Sequence, residues 1–421
     1  MFYGWVILIV CFINVCAEGA IKNLFPVLLL PLIDTFGWSR AATSAIFSMA
    51  GLVNGLGSPA MGLLLDKIGP RKYFPLGGLL LSMGLILASR VDQYWQLVVV
   101  YTCFVAIGEN MVSSYANVAV IGRWFRKKRG TAIGIADMGT AAGAAIFVPL
   151  AQWLILNLDW RHTFLIFAAI FLVMLLPGNL LFMRSRPEEL GQVPDGASGT
   201  LDAHRAAGLV NGTDEMTFRQ AARTPSLYFL TFARLFGNAA SYMVTIHIIA
   251  FFVDAGYRTM MAASALAFSQ IVSFIGRPLF GAASDRLGRE RTLTVSYILS
   301  AGSIAVILAF ADGAALWPVV LYVLLNGLSS GPVGIAIGAK AADLYPGSIL
   351  GAVMGVINMG RGIGLALGPL LGGLLYDVTR SYYLAFGVAI GFVLLSFAFF
   401  WAAHVMRDRG RFPDGSSARA A

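Results

Sequence analysis

Residues 62–72 read Gly-Leu-Leu-Leu-Asp-Lys-Ile-Gly-Pro-Arg-Lys, and residues 281–291 read Gly-Ala-Ala-Ser-Asp-Arg-Leu-Gly-Arg-Glu-Arg. Both stretches have a glycine, an aspartate four residues later and a basic end that contains glycine, and they lie 219 residues apart. A second frame, which begins at Gly130, recurs 220–221 residues later as Gly351, Gly355, Gly360, Gly364 and Pro369. Two independent patterns at nearly the same offset predict a duplicated structural unit.

Long apolar runs surround these two loops. The chain of 421 residues is 58% hydrophobic and only 12% charged, whereas soluble domains are about 45–50% apolar and about a quarter charged. A helix that spans a bilayer needs about 20 mainly apolar residues. Twelve such runs occur, near residues 4–31, 41–65, 73–89, 93–121, 128–156, 160–184, 226–252, 260–284, 291–310, 315–344, 349–377 and 382–404. We therefore predict an all-α polytopic membrane protein with twelve transmembrane helices in two six-helix bundles.

Charge and polarity divide the chain into four predicted segments. These are an N-terminal bundle (1–184), a linker (185–225), a C-terminal bundle (226–404) and a tail (405–421). The linker is polar, so we expect it to be mostly disordered, with a short interfacial helix from Met216 to Ala222.

The basic residues predict the orientation of the chain. Twenty lysines and arginines fall on the side of both termini and the linker, and five fall on the other side. The positive-inside rule then places both termini in the cytoplasm, for a multi-pass protein of the cell inner (cytoplasmic) membrane. The net charge of +9 is explained by these loops, so it does not indicate a nucleic-acid partner.

The repeated Gly-x-x-x-Asp-Arg/Lys-x-Gly loop resembles the signature of the major facilitator superfamily. The resemblance covers the chain from Gly4 to about His404 and implies that the loops act as a cytoplasmic conformational latch. The latch residues would be Asp66, Arg71, Asp285 and Arg289. Charge pairs of this kind can break and reform as two halves rock.

Within that superfamily, the chain looks most like the oxalate:formate antiporter and monocarboxylate porter branch. The motifs that carry this resemblance are Tyr3-Gly4-Trp5, Trp124-Phe125-x-x-x-Arg129-Gly130, Arg223-Thr224-Pro225 and Gly276-Arg277-Pro278. The oxalate:formate antiporter is similar in having one basic residue in the eighth span and another, typically lysine, in the eleventh. The monocarboxylate porters place an aspartate one turn before the arginine of the eighth span. This chain has Ser273 there, which counts against their form of proton coupling.

Two arginines lie deep within the predicted spans. At 1.5 Å per residue, Arg277 lies roughly 12 Å and Arg361 roughly 15 Å from the membrane edge, and an ionisable group there is a functional hypothesis by default. The matching residues of the first repeat are Ser58 and Thr140, so helix packing requires no charge at either place. Because a guanidinium can hold a carboxylate through two hydrogen bonds, we predict that both arginines bind an anion. Buried pairing with carboxylates or helix carbonyls is the alternative.

Other polar residues in the spans complete the predicted site. The further substrate-binding candidates are Tyr115, Asn117, Asn238, Tyr242 and Asn326. The candidates for proton coupling or gating are Glu18, Lys22, Glu109 and His247. Glu18 and Lys22 are four residues apart and can pair on one helical face, so an ion pair that ties the spans together is the alternative. Arg234 is expected to extend to the membrane interface.

These residues favour a secondary active transporter. The sequence contains no metal-ligand cluster, nucleophile elbow or phosphate-binding loop, so we predict no enzymatic activity, metal or cofactor. The expected cargo is a small organic anion, a mono- or dicarboxylate, carried by alternating access as proton symport or anion exchange. Its partners would then be the anion, a proton or counter-anion and the lipid bilayer, with the protein as a monomer. The alternative cargo is an amphipathic organic metabolite or drug, and a receptor built on a transporter scaffold is disfavoured by the short linker and tail.

Overall fold

The computed structural model describes residues 2–125, 128–195, 218–287, 289–311, 313–329, 337, 340–341, 344–345 and 350–409. Within these ranges, the side chains of residues 59, 129–130, 218, 277–287, 289–290, 350–352 and 404–409 lie outside the description. The predictions for Arg277, Asp285 and Arg289 fall on such side chains.

The described chain is built from helices. The first half comprises α1 (Gly4–Phe36), α2 (Arg40–Ile68), α3 (Pro70–Ala88), α4 (Tyr94–Val100), α5 (Ala106–Val112), α6 (Ser114–Trp124), α7 (Arg129–Asn157) and α8 (Trp160–Phe182). The second half comprises α9 (Phe218–Ala221), α10 (Pro225–Asp254), α11 (Thr259–Leu287), α12 (Arg289–Phe310), α13 (Trp317–Ser329), α14 (Leu350–Thr379) and α15 (Tyr383–Arg409). Within the described ranges, nine spans are long and apolar enough to cross a membrane, and a bent pair within α2 makes a tenth.

Short turns join the first three helices. Gly37 ends α1 in the left-handed region, at a φ of 68°, and donates its N–H to the carbonyl of Ile33. Ser39 caps α2 by accepting the N–H of Ala42. Gly69 adopts a φ of 75° between α2 and α3, which explains why the repeated loop has glycine there. Pro70 then begins α3 at a position where its missing N–H costs nothing.

The fourth predicted span is not one regular helix. A π-helical stretch at Tyr101–Val105 joins α4 to α5, and an extended residue, Ser113, separates α5 from α6. The side-chain amide of Asn117 donates to the carbonyls of Val112 and Ser113, both at 2.9 Å. The break is therefore stabilised by a side chain that satisfies carbonyls released from the helical ladder.

The helix pairs repeat between the two halves. α1 packs on α7 in the first half as α10 packs on α14 in the second, and α3 packs on α8 as α12 packs on α15. The halves meet along α2 with α14 and along α7 with α11. We call the end of the bundle where α1 begins the terminus side, and the end where α1 turns into α2 the opposite side.

The repeated glycines lie at equivalent contacts. A Cβ on Gly139 or Gly143 would meet the backbone of α1, and a Cβ on Gly360 or Gly364 would meet the backbone of α10. The glycines that recur in the sequence therefore mark the same close contact between two helices in each half. Only glycine lets two backbones approach this closely.

Replacing Gly143 with alanine is expected to destabilise the protein by about 1–3 kcal/mol, the usual effect of overpacking. The new Cβ would lie 1.9 Å from the carbonyl oxygen of Cys16. Gly134 of the same helix has nothing within 4 Å of its ideal Cβ, so Gly134→Ala is the matched control. Thermal unfolding of the purified variants should show a lower midpoint for Gly143→Ala alone, and equal midpoints would contradict this account of the contact.

The start of the predicted linker is ordered, which differs from the expectation. The backbone N–H of Asp195 donates to the carbonyl of Trp124 at 3.2 Å, and its carboxylate accepts the N–H of Lys128 at 2.9 Å. The side chain of Gln192 accepts the N–H of Tyr3 at 2.9 Å. Residues 184–195 therefore pack against the first half. They are held there by hydrogen bonds to Tyr3 and Trp124, which belong to two of the motifs that carried the family resemblance.

Candidate functional site

A cavity of about 460 Å³ lies between the two halves, and we call it the central cavity. Its polar and charged lining comprises Glu18, Lys22, Asn23, Ser114, Tyr115, Asp137, Thr140, Arg234, Asn238, Ser241, Tyr242, Thr245, Gln270, Tyr297, Ser300, Asn326, Ser329, Asn358 and Arg361. Both halves contribute to this lining. Cavities of a few hundred Å³ between two domains are typical of small-molecule sites.

Arg361 and Arg234 line the cavity together. Counted from the start of their helices, Arg361 lies roughly 16 Å and Arg234 roughly 14 Å from the terminus side. Arg361 donates to the hydroxyl of Tyr115 at 2.9 Å, and its guanidinium carbon lies 5.3 Å from the centre of that ring. Arg234 lies within electrostatic range of Tyr115, Tyr242 and Arg361. Among the residues that the structure describes, no carboxylate forms an ion pair with either arginine.

The position of Arg234 corrects the expectation that it extends to the membrane interface. Its side chain lines the central cavity instead. The distance along α10 could have indicated this depth, because nine residues of helix separate Arg234 from the helix start. The predicted position of Arg361 in the cavity agrees with the structure.

Four of the five neutral candidates also reach the cavity. Tyr115, Asn238, Tyr242 and Asn326 are lining residues. The amide of Asn238 donates to the carbonyl of Arg234 at 2.7 Å, so it is partly committed to its own helix. Tyr115 is about half exposed, at 48%, and its side chain lines the cavity next to Arg361.

Asn117 is the exception, and its predicted contact with substrate does not fit the packing. The residue is fully buried, and its oxygen accepts the amide of Asn14 at 3.1 Å. Asn14 also exchanges hydrogen bonds with Asn179 at 3.1 and 2.7 Å. The three asparagines form a buried polar contact between α1, α6 and α8. Asn117 therefore stabilises the break at Ser113 rather than facing the cavity.

A charged triad connects α1 with α5. The ammonium of Lys22 forms an ion pair with Glu18 one turn earlier, and it lies 3.8 Å from a carboxylate oxygen of Glu109. Glu18 also accepts the backbone N–H of Ser114 at 2.7 Å. The break at Ser113 leaves that N–H without a partner in its own helix, and Glu18 satisfies it as a capping carboxylate would.

His247 lies away from the cavity. Its Nδ1 is 3.1 Å from the hydroxyl of Tyr382, and its Nε2 is 2.9 Å from the carbonyl of Pro369. The ring is fully buried with both nitrogens engaged. Its predicted role in proton transfer is therefore not supported by its surroundings, and it holds α10 to α14 and α15.

The opposite side is closed by a set of contacts between the halves, which we call the Arg40 cluster: Arg40, Asp254, Tyr376, Asp377 and Tyr382. The Arg40 guanidinium binds both carboxylate oxygens of Asp254, at 2.8 and 2.9 Å, and donates to the Tyr382 hydroxyl at 2.7 Å. It also lies 3.8 Å from the centre of the Tyr376 ring. Asp377 accepts the backbone N–H groups of Arg40 and Ala41. The start of α2 is therefore fastened to α10, to α14 and to the turn that precedes α15.

The two predicted latch residues of the first half contact neighbouring helices. Asp66 forms an ion pair with Arg123 at 2.7 Å, whereas Arg71 donates to the carbonyl of Leu180 at 3.2 Å. Asp66 thus links α2 to α6, and Arg71 links α3 to α8. Both contacts join different spans, and the role of these residues as a latch stays a prediction.

Asp137 and Gln270 also line the central cavity, although neither was among the candidates predicted from the sequence. Asp137 accepts the hydroxyl of Ser114 at 2.9 Å. Its position seven residues after Gly130, within an apolar span, is the signal that could have identified it. In the part of the chain that the structure describes, no group of three histidines, cysteines or carboxylates could hold a metal ion.

Comparison with known proteins decides the family. The sequence model of the protein family described as Major Facilitator Superfamily matches residues 10–325 and 261–419. The chain belongs to the Major Facilitator Superfamily. The crystal structure of a bacterial homologue of the human lysosomal transporter Spinster, inward-facing and unoccupied, has the same fold. Its TM-score is 0.74 at 16% identity, over 98% of this chain and 99% of that chain.

Curated relatives extend over nearly the whole chain. Monocarboxylate transporter 13 of Rattus norvegicus is 27% identical over 399 residues, 93% of this chain and 87% of the relative. The uncharacterized MFS-type transporter YcxA of Bacillus subtilis is 24% identical over 396 residues, 93% of each. These matches confirm the predicted membrane fold, the superfamily and the resemblance to the monocarboxylate porter branch. The protein is a transporter and not an enzyme.

Proposed function

We propose that this superfamily member is a secondary active transporter of a small organic anion, a mono- or dicarboxylate, that works by alternating access. The observation that carries the proposal is the pair Arg234 and Arg361 in the central cavity. Each guanidinium faces the cavity with no ion pair to a described carboxylate. Since an uncompensated charge is costly inside a membrane protein, an anionic ligand is the natural partner for both.

The remaining lining suits such a ligand. Tyr115 holds the Arg361 guanidinium from the first half, so an anion bound by Arg361 would contact both halves at once. The Tyr242 hydroxyl and the Asn326 amide supply further hydrogen-bonding groups on the second half. Arg277 remains a prediction for the same site. The related rat protein is named for monocarboxylates, which agrees in chemical class.

The arrangement of the two sides supports alternating access. The Arg40 cluster fastens the halves on the opposite side, while the cavity lining lies at mid-depth and towards the terminus side. If both termini lie in the cytoplasm, as the positive-inside rule indicates, the Arg40 cluster would close the side of the cell inner membrane that faces away from the cytoplasm. Proton symport and anion exchange are the two modes of coupling that we consider, in a monomeric protein.

An amphipathic metabolite is the second candidate cargo. One wall of the cavity is apolar, formed by Ile304, Ile337, Met354, Ile357 and Val393. A ligand with a hydrocarbon body and one acidic group would use both this wall and the arginines. A neutral or cationic amphipath would not use the arginines, so substrate charge separates the candidates.

The test is substrate counterflow in proteoliposomes, using labelled lactate, formate and oxalate, together with a thermal-shift screen of the purified protein. Ligands that bind the folded state raise its apparent stability. We expect at least one carboxylate to exchange and to raise the unfolding midpoint, with the matching neutral amides inactive. Stabilisation by uncharged amphipaths alone would favour the second candidate.

A further inference from the structure

Glu18, Lys22 and Glu109 place two carboxylates around one ammonium group in the membrane interior. We propose that Glu109 is the side chain that takes up and releases the transported proton. This inference rests on the proposed anion transport and assigns proton symport as its mode of coupling. With both carboxylates ionised the three residues themselves carry one surplus negative charge, for which Arg361 is a more distant cation, and burying such a charge is costly. One bound proton makes the triad neutral.

Glu18 is held as the ionised member of the triad. It forms the ion pair with Lys22, and its other oxygen accepts the N–H of Ser114 at 2.7 Å. That N–H begins α6, where the helix dipole favours a negative charge. Glu18 is also almost fully buried, at 2% exposure, so its carboxylate depends on these partners. Protonation would weaken both contacts at once.

Glu109 has weaker partners. Its carboxylate accepts the amide of Asn54 at 3.2 Å and lies 3.8 Å from Lys22, which is a longer contact than the one with Glu18. The charged groups that face it are Lys22 and Glu18 of α1 and, more distantly, Arg361 of α14. The described residues of α2 and α3 that pack against α5 near it are uncharged, and Tyr101 lies on its own span. Protonation of Glu109 would therefore weaken fewer and longer contacts than protonation of Glu18.

The location of Glu109 separates the proton from the substrate. Glu109 lines a small cavity of about 20 Å³ and not the central cavity, Glu18 lines the central cavity, and Lys22 lines both. A proton on Glu109 would therefore change the charge felt in the central cavity without occupying the space of the anion. Removing one negative charge beside Lys22 favours entry of an anion, which gives a binding order of proton first and anion second.

The small cavity is also lined by a residue of the second half. Leu365 of α14 lines it, and Leu365 lies four residues after Arg361, on the same face of that helix. Movement of α14 against α2 would thus alter the surroundings of Glu109 and the position of Arg361 together. A two-state element that contacts both sites is the physical basis that coupling requires.

The test uses the full-length protein in proteoliposomes, comparing wild type, Glu109→Gln and Asp92→Asn. Asp92 is an exposed carboxylate paired with Arg161 on the opposite side, so its loss is the matched control. Labelled lactate, formate and oxalate are followed in counterflow and in uptake driven by a pH gradient. A one-unit gradient can drive about tenfold accumulation for one proton per anion. We expect Glu109→Gln to keep counterflow and lose this accumulation, while Asp92→Asn behaves as wild type.

A second measurement does not need a substrate. Infrared difference spectra between acidic and alkaline buffer contain the carbonyl stretches of all acids that become protonated. One component of this band should be present in wild type and in Asp92→Asn and absent from Glu109→Gln. Accumulation driven by pH in Glu109→Gln, or an unchanged acid band in that variant, would overturn the proposal. If no carboxylate is transported by wild type, the anion function fails, while the infrared titration still decides whether Glu109 binds the proton.

Discussion

Arg361→Gln is expected to weaken carboxylate binding roughly 30-fold or more, because losing one member of a buried charge pair costs about 2–5 kcal/mol. The variant would also lose its hydrogen bond to the Tyr115 hydroxyl across the two halves. Arg361→Lys keeps the charge but not the planar fork, so its affinity should fall between those of wild type and Arg361→Gln. The measurement is the dissociation constant from thermal-shift titration with lactate and oxalate.

Comparing the affinities of Arg234→Gln and Arg361→Gln indicates how many negative charges the transported anion carries. A dianion that contacts both guanidinium groups should lose affinity with either substitution, whereas a monoanion should depend mainly on one. Arg258→Gln is the control, because Arg258 is an exposed residue between α10 and α11. Unchanged affinity for every carboxylate in both Arg361→Gln and Arg234→Gln would refute the anion site.

Arg40→Gln is expected to open the opposite side of the transporter about tenfold more often than wild type. A hydrogen bond to a charged group contributes about 1.5–3 kcal/mol, and Arg40 makes two with Asp254 alone. Because these contacts join the halves only when the opposite side is closed, losing them shifts the population towards the open form. The change is measured at Thr245→Cys, a cavity position on α10, by its rate of reaction with a membrane-impermeant maleimide added on the opposite side.

The control is Arg161→Gln. Arg161 pairs with Asp92 on the same side of the membrane, but both residues belong to the first half. Its loss removes an ion pair of similar length without unfastening the halves. The labelling is done with Cys103 replaced by serine, since Cys11 and Cys16 are buried and Cys103 is exposed. Equal labelling rates in the two arginine variants would argue against the Arg40 cluster as a gate.

The fold was predictable from the sequence because its signals are local. The glycine at 69 marks a turn with positive φ, and the glycines at 143 and 364 mark backbone contacts that recur at one offset. Apolar runs of sufficient length then predict the spans. The break at Ser113 was not predictable in this way, because it depends on the distant side chain of Glu18 as well as on Asn117.

The candidate site was predicted only in part from the sequence. Depth along a helix can be counted, which identified Arg361 as a residue of the membrane interior. The direction in which a side chain points depends on the packing of the other helices. Arg234 was therefore misplaced at the interface, and Arg40 was counted only as a loop charge although it fastens the two halves.

The contact between α2 and α14 has a mechanical consequence. An ideal Cβ on Gly55 would lie 3.0 Å from the Cα of Gly362, so the two helices meet there through nearly bare backbones. Helices that interlock through ridges of side chains must disengage before they can turn, but two smooth surfaces can roll on each other. At this point of the contact we expect α2 and α14 to roll on each other. We therefore expect the resistance to switching to reside at the ends of the bundle, where charged groups must separate, rather than at its middle.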